Sequence, residues 1–146
     1  MKAVIFDFNR TLYDPDLQQL FPATLPLLEY CKQRGLRMAL LTKAGEGNAR
    51  QMLIDELGIS PFFDRIEIVS QKEEGLFKKL LVDWGIPASQ CWVVSDRLRT
   101  DLRIAKRLGC RTIWVRQGKF AAEGPEGPTD EPEVTVTNLE EVRNFI

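Results

Sequence analysis

Short apolar runs alternate with longer amphipathic stretches along this chain. Residues 3–6, 38–41, 66–69, 92–94 and 112–115 are each brief, rich in Val, Ile, Leu or aromatic side chains, and bounded by polar residues. That pattern predicts parallel strands covered on both faces. Between them, residues 25–34, 49–57, 74–84 and 100–108 carry helical periodicity, and each is followed by glycine: Gly35, Gly58, Gly85 and Gly109. Lys32 and Arg34 in the last turn of the first helix complement its carboxyl-terminal dipole. Repeated strand–helix–Gly–strand spacing predicts an α/β fold, a doubly wound, mostly parallel sheet in three layers with right-handed crossovers. Residues 134–136 read as an added edge strand and 139–145 as a short closing helix capped by Asn138. Residues 118–133 hold three Pro, three Gly and several acids, and read as a flexible loop.

The length of 146 residues suits one domain spanning 1–146. An apolar share of 44% and a charged share of 28% are those of a globular protein. The net charge of -1, with no basic stripe, does not favour nucleic acid as a partner. No apolar run approaches the roughly 20 residues that cross a bilayer. The N-terminal apolar run breaks at Asp7, too soon for a signal-peptide core of about 7–15 residues. The expectation is a cytoplasmic protein. Cys31, Cys91 and Cys110 are scattered and form no CxxC pair, so they read as core residues. The chain has no histidine, which excludes His-dependent nucleophiles and His-ligated metals.

In an open parallel sheet, ligands bind beyond the carboxyl ends of the strands. Here those ends carry Asp7, then Thr42 and Lys43, then Ser70 and Lys72, then Ser95 and Asp96. Asp7 and Asp96 can share a magnesium ion, which favours oxygen ligands. Thr42 offers a hydroxyl and a helix N-terminus to a phosphate, Lys72 balances phosphoryl charge, and Asp7 is a carboxylate able to form an aspartyl phosphate. Taken singly, each has a plainer reading: Thr42, Asp96 and Asp101 as helix caps, Lys72 as a solvated lysine, Asp7 as a turn residue. A chance gathering of all of them at strand ends is the weaker explanation.

The segment Val4-Ile5-Phe6-Asp7-Phe8-Asn9-Arg10-Thr11-Leu12 resembles the first motif of the haloacid dehalogenase-like superfamily, an apolar strand leading into Asp-x-Asp-Gly-Thr-Leu. Ala39-Leu40-Leu41-Thr42 resembles the second motif and Lys72 the third. Val93-Val94-Ser95-Asp96, with Asp101 five residues on, resembles the fourth. The resemblance covers roughly residues 2–118. It implies a magnesium-dependent phosphatase in which Asp7 is nucleophile and metal ligand. The backbone of Asn9 and the carboxylate of Asp96 would complete the protein ligands, Asp101 would support them, and Thr42 and Lys72 would hold phosphate.

The departures fall at the site. The family's acid/base aspartate is Asn9 here, and an amide neither takes nor gives a proton at neutral pH. Its glycine is Arg10, a cation that either occludes the pocket or contacts substrate anions. Ser95 replaces a glycine, Lys43 stands where Asn is common, and Glu73 where Pro is common. Two readings follow: a phosphohydrolase slowed at the acid/base step, or a pseudo-phosphatase that binds phosphate, metal or a protein without turnover. A receiver-like domain with an acidic pocket is a third. The gaps between Asp7, Thr42 and Lys72 leave no room for a cap domain. The site is then expected to be open, serving phosphoproteins, or small phosphorylated molecules if a homo-oligomer supplies a lid. Residues 17–21 and 118–133 are its candidate walls.

Overall fold

Five residues, Ala3–Asp7, form strand β1, every one of them buried. Burial on both faces is what an unbroken apolar run requires, and it places β1 inside the sheet. A computed structural model describes all residues, Met1–Ile146. After β1 come a small antiparallel hairpin, β2 (Tyr13–Asp14) with β3 (Gln19–Leu20), and helix α1 (Thr24–Gln33). The chain continues through β4 (Arg37–Lys43), α2 (Ala49–Glu56), β5 (Arg65–Val69), α3 (Glu74–Trp84) and β6 (Cys91–Ser95). A π-helical turn (Leu98–Leu102) leads into α4 (Arg103–Leu108), and β7 (Arg111–Val115) and β8 (Val134–Val136) finish the sheet. Asn138 caps a closing 3-10 helix, Leu139–Asn144, by accepting the Glu141 N–H.

The six-stranded sheet has the order β5-β4-β1-β6-β7-β8, and every pairing in it is parallel. Alternation along the strands feeds two cores. Val4, Phe6, Met38, Leu40 and Val94 pack with α1, with Ile54 of α2 and with the closing 3-10 helix. Ala3, Ile5, Ala39, Leu41 and Val93 pack with Phe77, Leu80 and Leu81 of α3 and Ala105 of α4. The result is the expected three-layer, doubly wound architecture. Between Asp7 and Thr42 the chain makes only the hairpin and α1; between Thr42 and Lys72, only α2, a 3-10 turn and β5. Neither segment holds a cap domain. No helix is long and apolar enough to cross a membrane.

From β1 the chain winds outward through β4 to β5, then returns to the other side of β1 as β6. The winding direction reverses between β1 and β6, and such a switch point opens a crevice at the strands' carboxyl ends. Register aligns those ends: Asp7 lies beside Leu41, and Phe6 lies between Leu40 and Val94.

Two local features differ from the sequence expectation. The helix expected from residue 100 starts instead as a π turn at Leu98, with the Leu102 N–H reaching the Arg97 carbonyl at 3.4 Å. Such wide turns recur at functional sites, and this one carries Asp101. The loop expected to be flexible contains two 3-10 turns (Gly118–Phe120 and Pro128–Asp130) and is pinned to the π turn and α4. Arg103 bonds both oxygens of the buried Asp130, at 2.5 and 2.8 Å, while Arg99 donates to Glu123 and Gly124. Arg103 holds the Asp130 carboxyl down at about 2.

Candidate active site

Asp7 ends β1 at the switch point with its side chain 9% exposed. Its Oδ1 accepts the Phe8 N–H at 2.8 Å and the Lys72 ammonium at 2.7 Å. Lys72 also donates to Asp101 Oδ2 at 2.8 Å, so one lysine bridges two carboxylates. Its side chain is only 8% exposed, which rules out the solvated-lysine reading. Burial alone would lower the pKa of this ammonium, but the charges of Asp7 and Asp101 outweigh it and the net shift is upward.

Asp101 is buried within the π turn. Ser95 Oγ lies 3.0 Å from Asp101 Oδ2 and 3.3 Å from Asp7 Oδ2, and accepts the Arg97 N–H. Its one proton serves one carboxylate at a time. Ser95 is therefore part of the carboxylate network. Burial, then the charge of Asp7, pushes Asp101 up to about 6 against the opposing pull of Lys72. Asp96 is pushed further, to about 8, again by burial first and Asp7 second. Its Oδ1 accepts from Thr11 Oγ1 at 3.1 Å, whereas its Oδ2 is buried with no partner.

An orphaned carboxylate oxygen beside a second carboxylate is the donor set a hard cation satisfies. No three His, Cys, Asp or Glu side chains are grouped to hold a metal together. Asp101 is bonded to Lys72 and Ser95 through Oδ2. The carboxylate pair fits magnesium, which commonly takes one or two carboxylates and keeps its waters.

The loop after β1 is tight. The Phe8 carbonyl accepts N–H bonds from Thr11, Leu12 and Tyr13. Arg10 has φ 62, a left-handed backbone conformation that favours glycine. Asn9 and Arg10 both line an open cavity of about 370 Å³ with Asp7, Thr42, Lys43, Lys72, Asp96 and Asp101. All the site residues read from the sequence thus meet in one place.

Thr42 is buried, and its hydroxyl donates to the Lys43 carbonyl at 3.2 Å. It does not sit at a helix N-terminus, contrary to expectation. Strand β4 runs on through Lys43, a turn containing Gly45 and Gly47 intervenes, and α2 starts only at Ala49. Residues 17–21 are not walls either: Leu20 and Phe21 pack against the core, and Leu17 is exposed away from the cavity. The 118–133 loop does contribute, through Lys119 and Phe120.

Sequence reasoning missed Arg50, Gln71, Arg97 and Thr100, which complete the cavity lining, and reached Lys119 and Phe120 only as part of the 118–133 loop. The guanidiniums of Arg97 and Arg10 lie 3.8 and 5.9 Å from the centre of the Phe120 ring, and the Lys119 ammonium lies 5.1 Å from it. Six cations and three carboxylates line the cavity, a balance suited to an anionic ligand.

Comparison with known proteins agrees with the geometry. The HAD-hydrolase-like family pattern matches residues 69–142, just over half of the chain. A phosphoserine phosphatase of Thermus thermophilus is 29% identical over 128 residues, covering 84% of this chain and 49% of that protein. A glyceraldehyde 3-phosphate phosphatase of Methanocaldococcus jannaschii is 29% identical over 133 residues, covering 86% and 56%. The chain spans about half the length of these curated relatives. Among solved structures, a HAD phosphatase from Thermococcus onnurineus superposes with a TM-score of 0.77 at 17% identity, covering 99% of this chain and 97% of that one.

Proposed function

This chain belongs to the haloacid dehalogenase-like hydrolases, and on that premise we propose that it is a magnesium-dependent phosphohydrolase acting through an aspartyl phosphate on Asp7. The observation that carries the reading is the joint placement of Asp7, Lys72 and the half-orphaned Asp96 at the switch point. Asp7 and Asp96, with the backbone carbonyl of Asn9, would hold the ion. When bound, it would neutralise charge on the transferring phosphoryl group.

The chain's own groups divide the remaining work. Lys72 holds Asp7 in place and adds positive charge where phosphoryl oxygens gather. Thr11 and Ser95 orient Asp96 and Asp7. Thr42 and Lys43 face the cavity and supply a hydroxyl and a cation to phosphate, and Arg10 adds a second cation. The named activities of the curated relatives support a phosphorylated small molecule as substrate.

A second reading is favoured by one observation: no carboxylate occupies position 9. On that reading the site binds phosphate or metal without turnover. Phosphate release from an aryl phosphate separates the two. Release that requires magnesium and vanishes in Asp7→Asn supports the hydrolase. A homogeneous sample inactive across a broad phosphate panel supports the binding module.

A further inference from the structure

Resting on the phosphohydrolase reading, we propose that the substrates of this site are phosphoanhydrides, in which the departing group is itself a phosphate. Two independent features of the cavity support this: what Asn9 cannot supply, and what the mouth of the cavity holds.

An alcohol leaving a phosphate ester departs as an alkoxide and needs a proton. Asn9 has none to give. Lys72 directs its protons to Asp7 and Asp101. Asp101 is bonded by Ser95, and Asp96, bonded by Thr11 through Oδ1, would hold the ion through its unpartnered Oδ2. Guanidinium groups do not release protons in proteins. A departing phosphate, by contrast, is a stable anion. It requires opposing charge rather than a proton.

The mouth has that charge in surplus. Arg10, Arg97 and Lys119 gather around one ring, Phe120, and all line the cavity that contains Asp7. Arg97 shares its charge with Glu123 at 3.4 Å, but neither Arg10 nor Lys119 has a carboxylate partner. Arg10 is moreover held at positive φ, with its carbonyl fixed by Gln117 at 3.0 Å and its side chain against Gly118. A non-glycine residue in this conformation is strained, and strain retained beside a cavity is a mark of function.

The step balances without a general acid. An Asp7 carboxylate oxygen attacks the terminal phosphorus. Its O–P bond forms as the bridging P–O bond breaks, and the bridging electron pair leaves on the departing phosphate, whose charge Arg10 and Lys119 meet. Water then attacks the phosphorus of the aspartyl phosphate and displaces the Asp7 carboxylate. The proton from that water goes to the released phosphate or to solvent.

The test measures kcat/KM with magnesium for inorganic pyrophosphate, a nucleoside diphosphate, an aryl phosphate and glycerol phosphate, in wild type, Arg10→Gly and Lys119→Ala. At least one anhydride is expected to exceed glycerol phosphate by about 100-fold or more, the order of a missing acid/base contribution. Which anhydride is preferred identifies the source of the diphosphate. Each variant is expected to lower the anhydride-to-aryl ratio by about tenfold, the order of one charged hydrogen bond. Arg10→Gly places glycine at a positive φ, and Lys119 is exposed, so both are expected to fold. Glycerol phosphate turned over as well as the anhydrides, or a ratio unchanged in both variants, overturns the proposal. Turnover of the aryl phosphate alone overturns it too while leaving the phosphohydrolase reading standing. No turnover of any of the four defeats both.

Discussion

Thr11 and Asp96 hold each other at two points: the Thr11 hydroxyl donates to Asp96 Oδ1 at 3.1 Å and accepts the Asp96 N–H at 3.0 Å. Eighty-five positions separate them in sequence. The exchange joins the loop after β1 to the end of β6, across the switch point. It fixes one oxygen of Asp96 and leaves the other buried and unpartnered.

Replacing Thr11 by Val keeps the shape and removes both bonds. Magnesium affinity is expected to fall about 10- to 100-fold, as when a metal ligand loses its orienting partner. Stability is expected to drop by about 1–3 kcal/mol, because the buried Asp96 N–H is left unpaired. Calorimetric titration and denaturant unfolding measure the two effects. An unchanged affinity would separate Asp96 from metal binding.

Lys72→Met leaves Asp7 and Asp101 without the cation they share. Removing one member of a buried ion-pair network costs about 3–5 kcal/mol, and the loss is expected to grow as Asp101 ionises with rising pH. kcat/KM is expected to fall by about 100-fold or more, since positive charge is withdrawn from the phosphoryl site. Wild-type kinetics in this variant would assign Lys72 to structure alone.

The carboxylates also set how metal-free protein responds to pH. Asp101 at about 6 and Asp96 at about 8 lie above the ordinary aspartate value of 3.8. Between those limits the folded chain binds more protons than the unfolded one, so stability falls with pH. Their contribution is fully present below about 4 and is lost as pH rises through 6 and then 8. Magnesium, which needs ionised ligands, is expected to stabilise more at pH 8 than at pH 6. Thermal unfolding across this range tests both trends, and Asp96→Asn is expected to flatten the metal-free slope.

Asn9→Asp places a proton carrier in the cavity that Asp7 lines. Turnover of an alkyl phosphate is expected to rise by about 10²–10⁴-fold, with little change in magnesium affinity because the proposed metal contact at this position would be through the backbone. Equal alkyl phosphatase rates in wild type and variant would mean that another group performs the proton transfer.

The sheet was legible because each buried strand is a distinct apolar run, and every expected strand is present within one or two residues of its limits. The π turn was not: residues 98–102 carry the same apolar spacing as an α-helix, and the widening shows only in which carbonyl Leu102 reaches. Asp7, Lys72 and Asp96 were legible because strand ends in a parallel sheet converge, and Asp101 through its spacing in the fourth-motif resemblance. Arg50 was not, and Lys119 and Phe120 were only as part of the 118–133 loop, because their positions depend on how loops and a helix start fold over the crevice. One signal was available. Arg97, Arg99 and Arg103 are followed by Glu123, Glu126 and Asp130, and it is this charge complementarity that pins the 118–133 loop against the site.

Trapping the proposed aspartyl phosphate tests the role of Asp7 most directly. Protein quenched in acid during turnover of an aryl phosphate, digested and mapped by mass spectrometry, is expected to carry one phosphoryl group on Asp7, only with magnesium, and none in Asp96→Asn. Phosphate release accompanied by a phosphoryl group on another residue, or by an Asp7→Asn variant as fast as wild type, would contradict it.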